Sequence, residues 1–103
     1  KRDRGSKMKV LLALNIKPEL EEDMVDYLLA KDGVGGFTSY HARGHGDHQN
    51  MSLAEQVSGR GKRLQVEILM EDSQVPSLLE GLTENVGRDI LYWTQSISEI
   101  GKT

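Results

Sequence analysis

His41–Gly61, HARGHGDHQNMSLAEQVSGRG, holds all three histidines of the chain together with the glycines at 44, 46, 59 and 61. It separates two segments that each read as strand, so its interpretation decides how those strands are joined. On its C-terminal side, LQVEILM (64–70) sets Leu64, Val66, Ile68 and Met70 against Gln65 and Glu67, the period-two pattern of a half-buried strand. On its N-terminal side, GVGG (33–36) supplies a flexible turn into a strand from Phe37 to Ala42. Neighbouring strands need only about two to five residues to form a hairpin, and loops much beyond ~12 residues in a compact domain are usually functional or disordered. The stretch from Gly44 to Arg60 is therefore a long polar excursion between two strands.

Further out, VLLALNI (10–16) places Val10, Leu12, Leu14 and Ile16 on one face, with Leu11 and Ala13 also apolar. That composition suits a central strand covered on most of both faces. Pro18 starts a helix, since its missing N–H costs nothing in the first turn. Glu19, Glu21, Glu22 and Asp23 crowd that turn, where the macrodipole favours negative charge. Leu20, Met24 and Leu28, with Val25 and Leu29 beside them, form the expected buried stripe, and Gly33 ends the helix. A second helix follows the excursion's far strand. Asp72 or Ser73 can cap it, Pro76 sits in its first turn, and Val75, Leu78, Leu79, Leu82 and Val86 share one face up to Gly87. ILYWTQSI (90–97) is rich in β-formers and reads as the last strand.

The order is β-α-β-β-α-β. It predicts an α+β, ferredoxin-like fold: a four-stranded antiparallel sheet, both helices on one face, and the excursion between strands two and three. The 103 residues make one domain. Residues 1–7, KRDRGSK, read as a polar, disordered arm or an appended remnant ahead of Met8, and residues 8–103 as the domain itself. A net charge of −3 argues against broad nucleic-acid binding, which needs a basic footprint. The third strand also lacks the stacking aromatics of an RNA-recognition module. Without cysteine there is no disulfide framework and no thiol chemistry, which fits a reducing, cytoplasmic setting. No apolar run approaches a membrane span.

At this point the residues resemble the PII signalling proteins. Ile16-Lys17-Pro18 before an acidic turn is similar to the end of their first strand. Gly33-Val34-Gly35-Gly36-Phe37-Thr38 resembles their entry into strand two. Gly44-His45-Gly46 matches a G-x-G at the root of their long T-loop, and Glu67-Ile68 followed by Asp72, Gln74 and Val75 matches the passage from strand three into helix two. The likeness spans roughly residues 9–97. It implies a homotrimer with ligand clefts between subunits, and a T-loop that reports a small effector to a partner, often a membrane transporter. The family's phosphate-cradling loop before strand four is reduced here to Gly87-Arg88-Asp89, and its basic tail is missing. This chain thus looks like a compact PII-like relative, of the kind associated with heavy-metal efflux systems, and ATP binding in the familiar mode is not expected. Adenine nucleotide or a divalent metal are the cofactors that the resemblance suggests.

Two sets of candidate site residues follow. Arg43, Lys62, Arg63 and Arg88, with Gly44 and Gly46 at the loop root, would bind an anionic ligand if a neighbouring subunit gathers the cations; otherwise they are ordinary surface charges. Arg63 stands near the position of a phosphate-binding lysine in the family. His41, His45 and His48 offer three imidazoles, donors that suit zinc, copper or nickel, although a solvated loop can also simply contain histidines. Gly44, Gly46, Gly59 and Gly61 are expected to act as hinges. Met51, Leu53, Ala54 and Val57 have helix-like spacing. Tyr92 and Trp93 are expected in the core and a subunit interface. No nucleophile elbow, phosphate loop or paired carboxylate motif is present, so the expectation is a regulatory protein and not an enzyme. A divalent-cation-tolerance protein, or a hydrolase with an intersubunit site, are the alternatives.

Overall fold

Apolar side chains on both faces fit Lys9–Ile16 (β1) for an inner position in the sheet, since only an inner strand has cover on both sides. The computed structural model, which describes residues 8–45 and 61–103, places it there. Gly61–Glu71 (β3) and Leu91–Ser96 (β4) flank β1, and Thr38–Gly44 (β2) pairs with the far side of β3. The strand order is β2-β3-β1-β4 with every neighbouring pair antiparallel, which is the expected α+β ferredoxin-like plan. The expected arm at 1–7 and the helix-like spacing at Met51–Val57 lie outside the described residues.

Register makes the sheet two-sided. Leu12 pairs with Ile68 and Thr94, and Leu14 with Val66 and Tyr92. Alternation then puts Val10, Leu12, Leu14, Ile16, Leu64, Val66, Ile68 and Met70 on one face. There they form the core with Met24 and Leu28 of helix Glu21–Ala30 (α1), and with Val75, Leu78 and Leu82 of Val75–Glu80 (α2) and Leu82–Asn85 (α3). Both helical layers thus cover the same face.

The first helix opens as anticipated, with a 3-10 turn at Pro18–Leu20 and Glu21, Glu22 and Asp23 in the first turn of α1. Its buried stripe is narrower than expected. Leu29 is 73% exposed, because it lies about 100° around the helix from Leu28 and so leaves the contact arc. Tyr27 packs there in its stead, and its hydroxyl donates to the Leu78 carbonyl at 2.7 Å.

The second helix is not continuous. A 3-10 turn at Asp72–Gln74 leads into α2, and Gly81 separates α2 from α3. Tyr27 restricts the residue type at the break: its hydroxyl oxygen lies 2.5 Å from where a Cβ on residue 81 would sit. The Asn85 side chain donates to the Gly81 carbonyl at 2.8 Å and closes the break. Burial among these groups raises the Tyr27 phenol pKa, a hydrogen bond from the Gly81 backbone opposes that shift, and nearby Glu80 adds to it.

Gly33 turns the chain out of α1 with φ +91, and a Cβ there would lie 2.7 Å from the Gln74 carboxamide carbon. Left-handed backbone costs an L-residue roughly 1–2 kcal/mol, and each kcal/mol moves the melting point of a domain this size by about 4–8 °C. Gly33→Ala should therefore lower Tm by roughly 5–15 °C in calorimetry, and Gly33→Asn by less, because asparagine tolerates that region. An unchanged Tm for the alanine variant would contradict this account of the turn.

Candidate functional site

The β2–β3 ladder closes with Arg43 opposite Lys62 and Gly44 opposite Gly61, leaving residues 45–60 between the paired strands. Gly44 and Gly61, expected as hinges, are instead ladder partners inside the sheet. Gly46, Gly59 and Arg60 lie outside the described residues, as does His48.

The sheet divides the candidate cations. Lys62 shares the parity of Leu64, so Lys62 and Arg43 project on the helix-bearing face, where both are exposed. Arg63 projects on the opposite, open face, and Arg88 lies on the connection into β4. One chain therefore does not gather all four. His41 pairs with Leu64, and His45 follows the end of β2. Four residues of extended chain span about 13 Å, so these two do not converge along the strand. Among the described residues no group of three His, Cys, Asp or Glu is placed to hold a metal.

Arg63 is the best-anchored cation. Its Nε donates to Asn15 Oδ1 at 2.6 Å, and Nη2 donates to the carbonyls of Asn15 and Asp89, both at 3.0 Å. Nη1 donates to Asp89 Oδ2 at 3.2 Å in a salt bridge. The guanidinium thus reaches over the end of β1 and ties β3 to the β4 connection. Asp89 has φ 64, a left-handed conformation that aspartate accepts more readily than most residues. Asn15 also donates to Gln65 Oε1 at 2.9 Å, and Gln65 is only 8% exposed although it faces no helix.

This network was not anticipated from the amino-acid pattern. One signal was present: a lone amide, Asn15, inside an otherwise apolar inner strand, where asparagine is disfavoured without a partner. Nothing comparable marked Asp89, whose role depends on backbone conformation.

Two grooves flank the helices. One, of about 460 Å³, runs between α3 and β4 and is lined by Leu79, Leu82, Arg88, Asp89, Ile90 and Tyr92. The other, of about 440 Å³, is acidic and lies along the start of α1, beside Glu19, Glu22 and Asp26.

The open face of the sheet carries Leu11, Ala13, Leu69, Leu91 and Trp93, placed there by register. Trp93 is 40% exposed and lies opposite Ala13, which is 2% exposed. Tyr40 on the same face donates to Glu67 Oε2 at 2.9 Å, and that bond is the main reason its phenol pKa is raised. The expectation that Tyr92 and Trp93 belong to the core is thus corrected. β4 is an edge strand whose side chains are all exposed, and the two rings point to opposite faces.

A family model described as "Protein of unknown function (DUF3240)" matches residues 6–103. Among solved structures, a DUF3240 family protein from Shewanella baltica OS155 is similar with TM-score 0.76 and 22% identity, over 93% of this chain and 97% of that one. A protein described as PII-like and signalling, from Thermus thermophilus, gives TM-score 0.61 and 19% identity over 86% of each chain. CutA1 from Pyrococcus horikoshii gives 0.68 and 11%, over 90% of this chain and 87% of that one. The fold is therefore shared with PII-like and CutA1 proteins. No curated protein matches in sequence. Among the described residues, no helix is long and apolar enough to cross a membrane.

Proposed function

The chain belongs to the DUF3240 family, and from that premise we propose that it is a small homotrimeric regulatory protein of PII-like type. It binds a small anionic effector near the root of the 45–60 connection and signals its presence to a partner such as a transporter or efflux component. The reading is cytoplasmic and includes no catalytic step. The observation that carries it is the common end of the sheet where β2, β3, β1 and the start of β4 meet. Arg43, Lys62, Arg63 and Arg88 all lie at or beside that end, two of them on either side of the connection. Trimer formation is supported by the open face, where Leu11, Leu69, Leu91 and Trp93 have no covering layer within the described residues. A body of 103 residues has a limited core of its own, so cover on that face would add to its stability.

Thermal shift tests the effector. Adenine nucleotides, bicarbonate, inorganic phosphate, zinc, copper and nickel are titrated against the wild type, Arg43→Ala/Lys62→Ala, and the His41, His45 and His48 triple alanine variant. A ligand at about 100 times its Kd adds about 2.7 kcal/mol of stability, a shift of roughly 10–20 °C for this size. An anion-dependent rise that is lost in Arg43→Ala/Lys62→Ala is the expected result. A rise from metals alone, lost in the histidine variant, would replace the anion reading with a metal-binding one. Flat traces throughout would remove both.

A further inference from the structure

We propose that the Asp89 carboxylate is a built-in counter-anion on Arg63, and that the effector is an oxyanion that displaces it from the Nη1 edge of the guanidinium. This rests on the preceding reading and adds the chemistry and regulation of the site. Three of the four hydrogen bonds on Arg63 fix the group: Nε to Asn15 Oδ1, and Nη2 to the carbonyls of Asn15 and Asp89. These are the shorter bonds, and two of them end on backbone. The fourth, Nη1 to Asp89 Oδ2, is the longest at 3.2 Å, and the Asp89 side chain is 48% exposed against 15% for Arg63. Within one chain the donor is therefore held still, while its acceptor is tied more loosely and is half exposed.

An ion pair exposed on one side contributes little net stability, so its exchange is cheap. A phosphate or carboxylate offers the same charged oxygens to Nη1 and gains a charged donor already held in place, at no cost in ordering it. Asp89 lies in the left-handed region, on the connection that also lines the 460 Å³ groove together with Arg88. Releasing its carboxylate removes one of the two contacts that hold residue 89 to β3, while the contact through its carbonyl remains. Binding is thereby coupled to the conformation of the connection between α3 and β4.

The test measures binding of inorganic phosphate and of ATP by calorimetry, the two arms separating a free from a nucleotide-borne phosphate. The proteins are the wild type, Asp89→Asn, Asp89→Gly, Arg63→Gln and Arg63→Gln/Asp89→Asn. Asparagine and glycine both accept the backbone conformation of residue 89, so both variants keep the turn. If the internal carboxylate fills the position about nine-tenths of the time, its removal tightens binding about tenfold. That gain, in either arm and in both Asp89 variants, is the expected result. It should vanish in the Arg63→Gln background, which separates displacement from a general charge effect. The Arg63 Nε–H resonance, shifting with phosphate in the wild type, gives a readout that does not depend on the Arg63 variants folding. Equal or weaker affinity in Asp89→Asn and Asp89→Gly, with phosphate or ATP still bound by the wild type, would overturn the displacement and leave the anion reading intact. No binding in any protein would overturn both.

Discussion

Trp93→Glu is expected to convert a three-copy particle into a monomer, read as a threefold fall in mass by light scattering. The residue sits on the open sheet face opposite Ala13, among Leu11, Leu69 and Leu91. In the isolated chain it is 40% exposed, so its replacement leaves the helix-side core untouched. At the centre of an assembled face, however, a carboxylate without a partner would be removed from water, at several kcal/mol per copy. Leu69→Glu should behave alike from β3, whereas Leu29→Glu, on the exposed side of α1, should leave the particle intact. A wild type that is monomeric in solution, or a Trp93→Glu variant that keeps its mass, would refute this role for the face.

The second large effect is energetic. Leu14 has no exposure and stands between Val66 and Tyr92 in the register of β1. Leu14→Ala should cost about 2–5 kcal/mol, the lost transfer energy plus the cavity left in a rigid neighbourhood. Domains of this kind have only about 5–15 kcal/mol in total. The urea midpoint should fall markedly at unchanged slope. Both proteins must be compared at one protomer concentration, because assembly feeds into apparent stability. A midpoint near the wild-type value would mean that the core collapses around the gap.

The alternation in β1 and β3 made the fold legible from the residues alone. Val10, Leu12, Leu14 and Ile16 pair with Met70, Ile68, Val66 and Leu64, and every one is buried. Apolar period depends on local geometry, so it survives in the bare sequence. The break at Gly81 was not legible. The residue there is crowded by the hydroxyl of Tyr27, distant in sequence, and a glycine within a helical pattern does not announce what approaches it. The candidate site was legible only as a set of residue types. Arg43, Lys62 and Arg63 are near neighbours in the ladder, yet pleating sends Arg63 to the other face. Its partners Asn15 and Asp89 are placed by strand order and by one unusual backbone angle, which composition does not encode.

The closure of the ladder at Gly44 and Gly61 has a consequence for how freely the chain can vary. Ring closure grows only logarithmically with length, so two doublings beyond a four-residue hairpin cost about 1.2 kcal/mol. Strand pairing on either side already commits the ends, so the length of chain between them weighs little on whether the body folds. Insertions and deletions along 45–60 are thus expected to weigh little on the stability of the body, which lets the length of the segment drift while the scaffold stays the same.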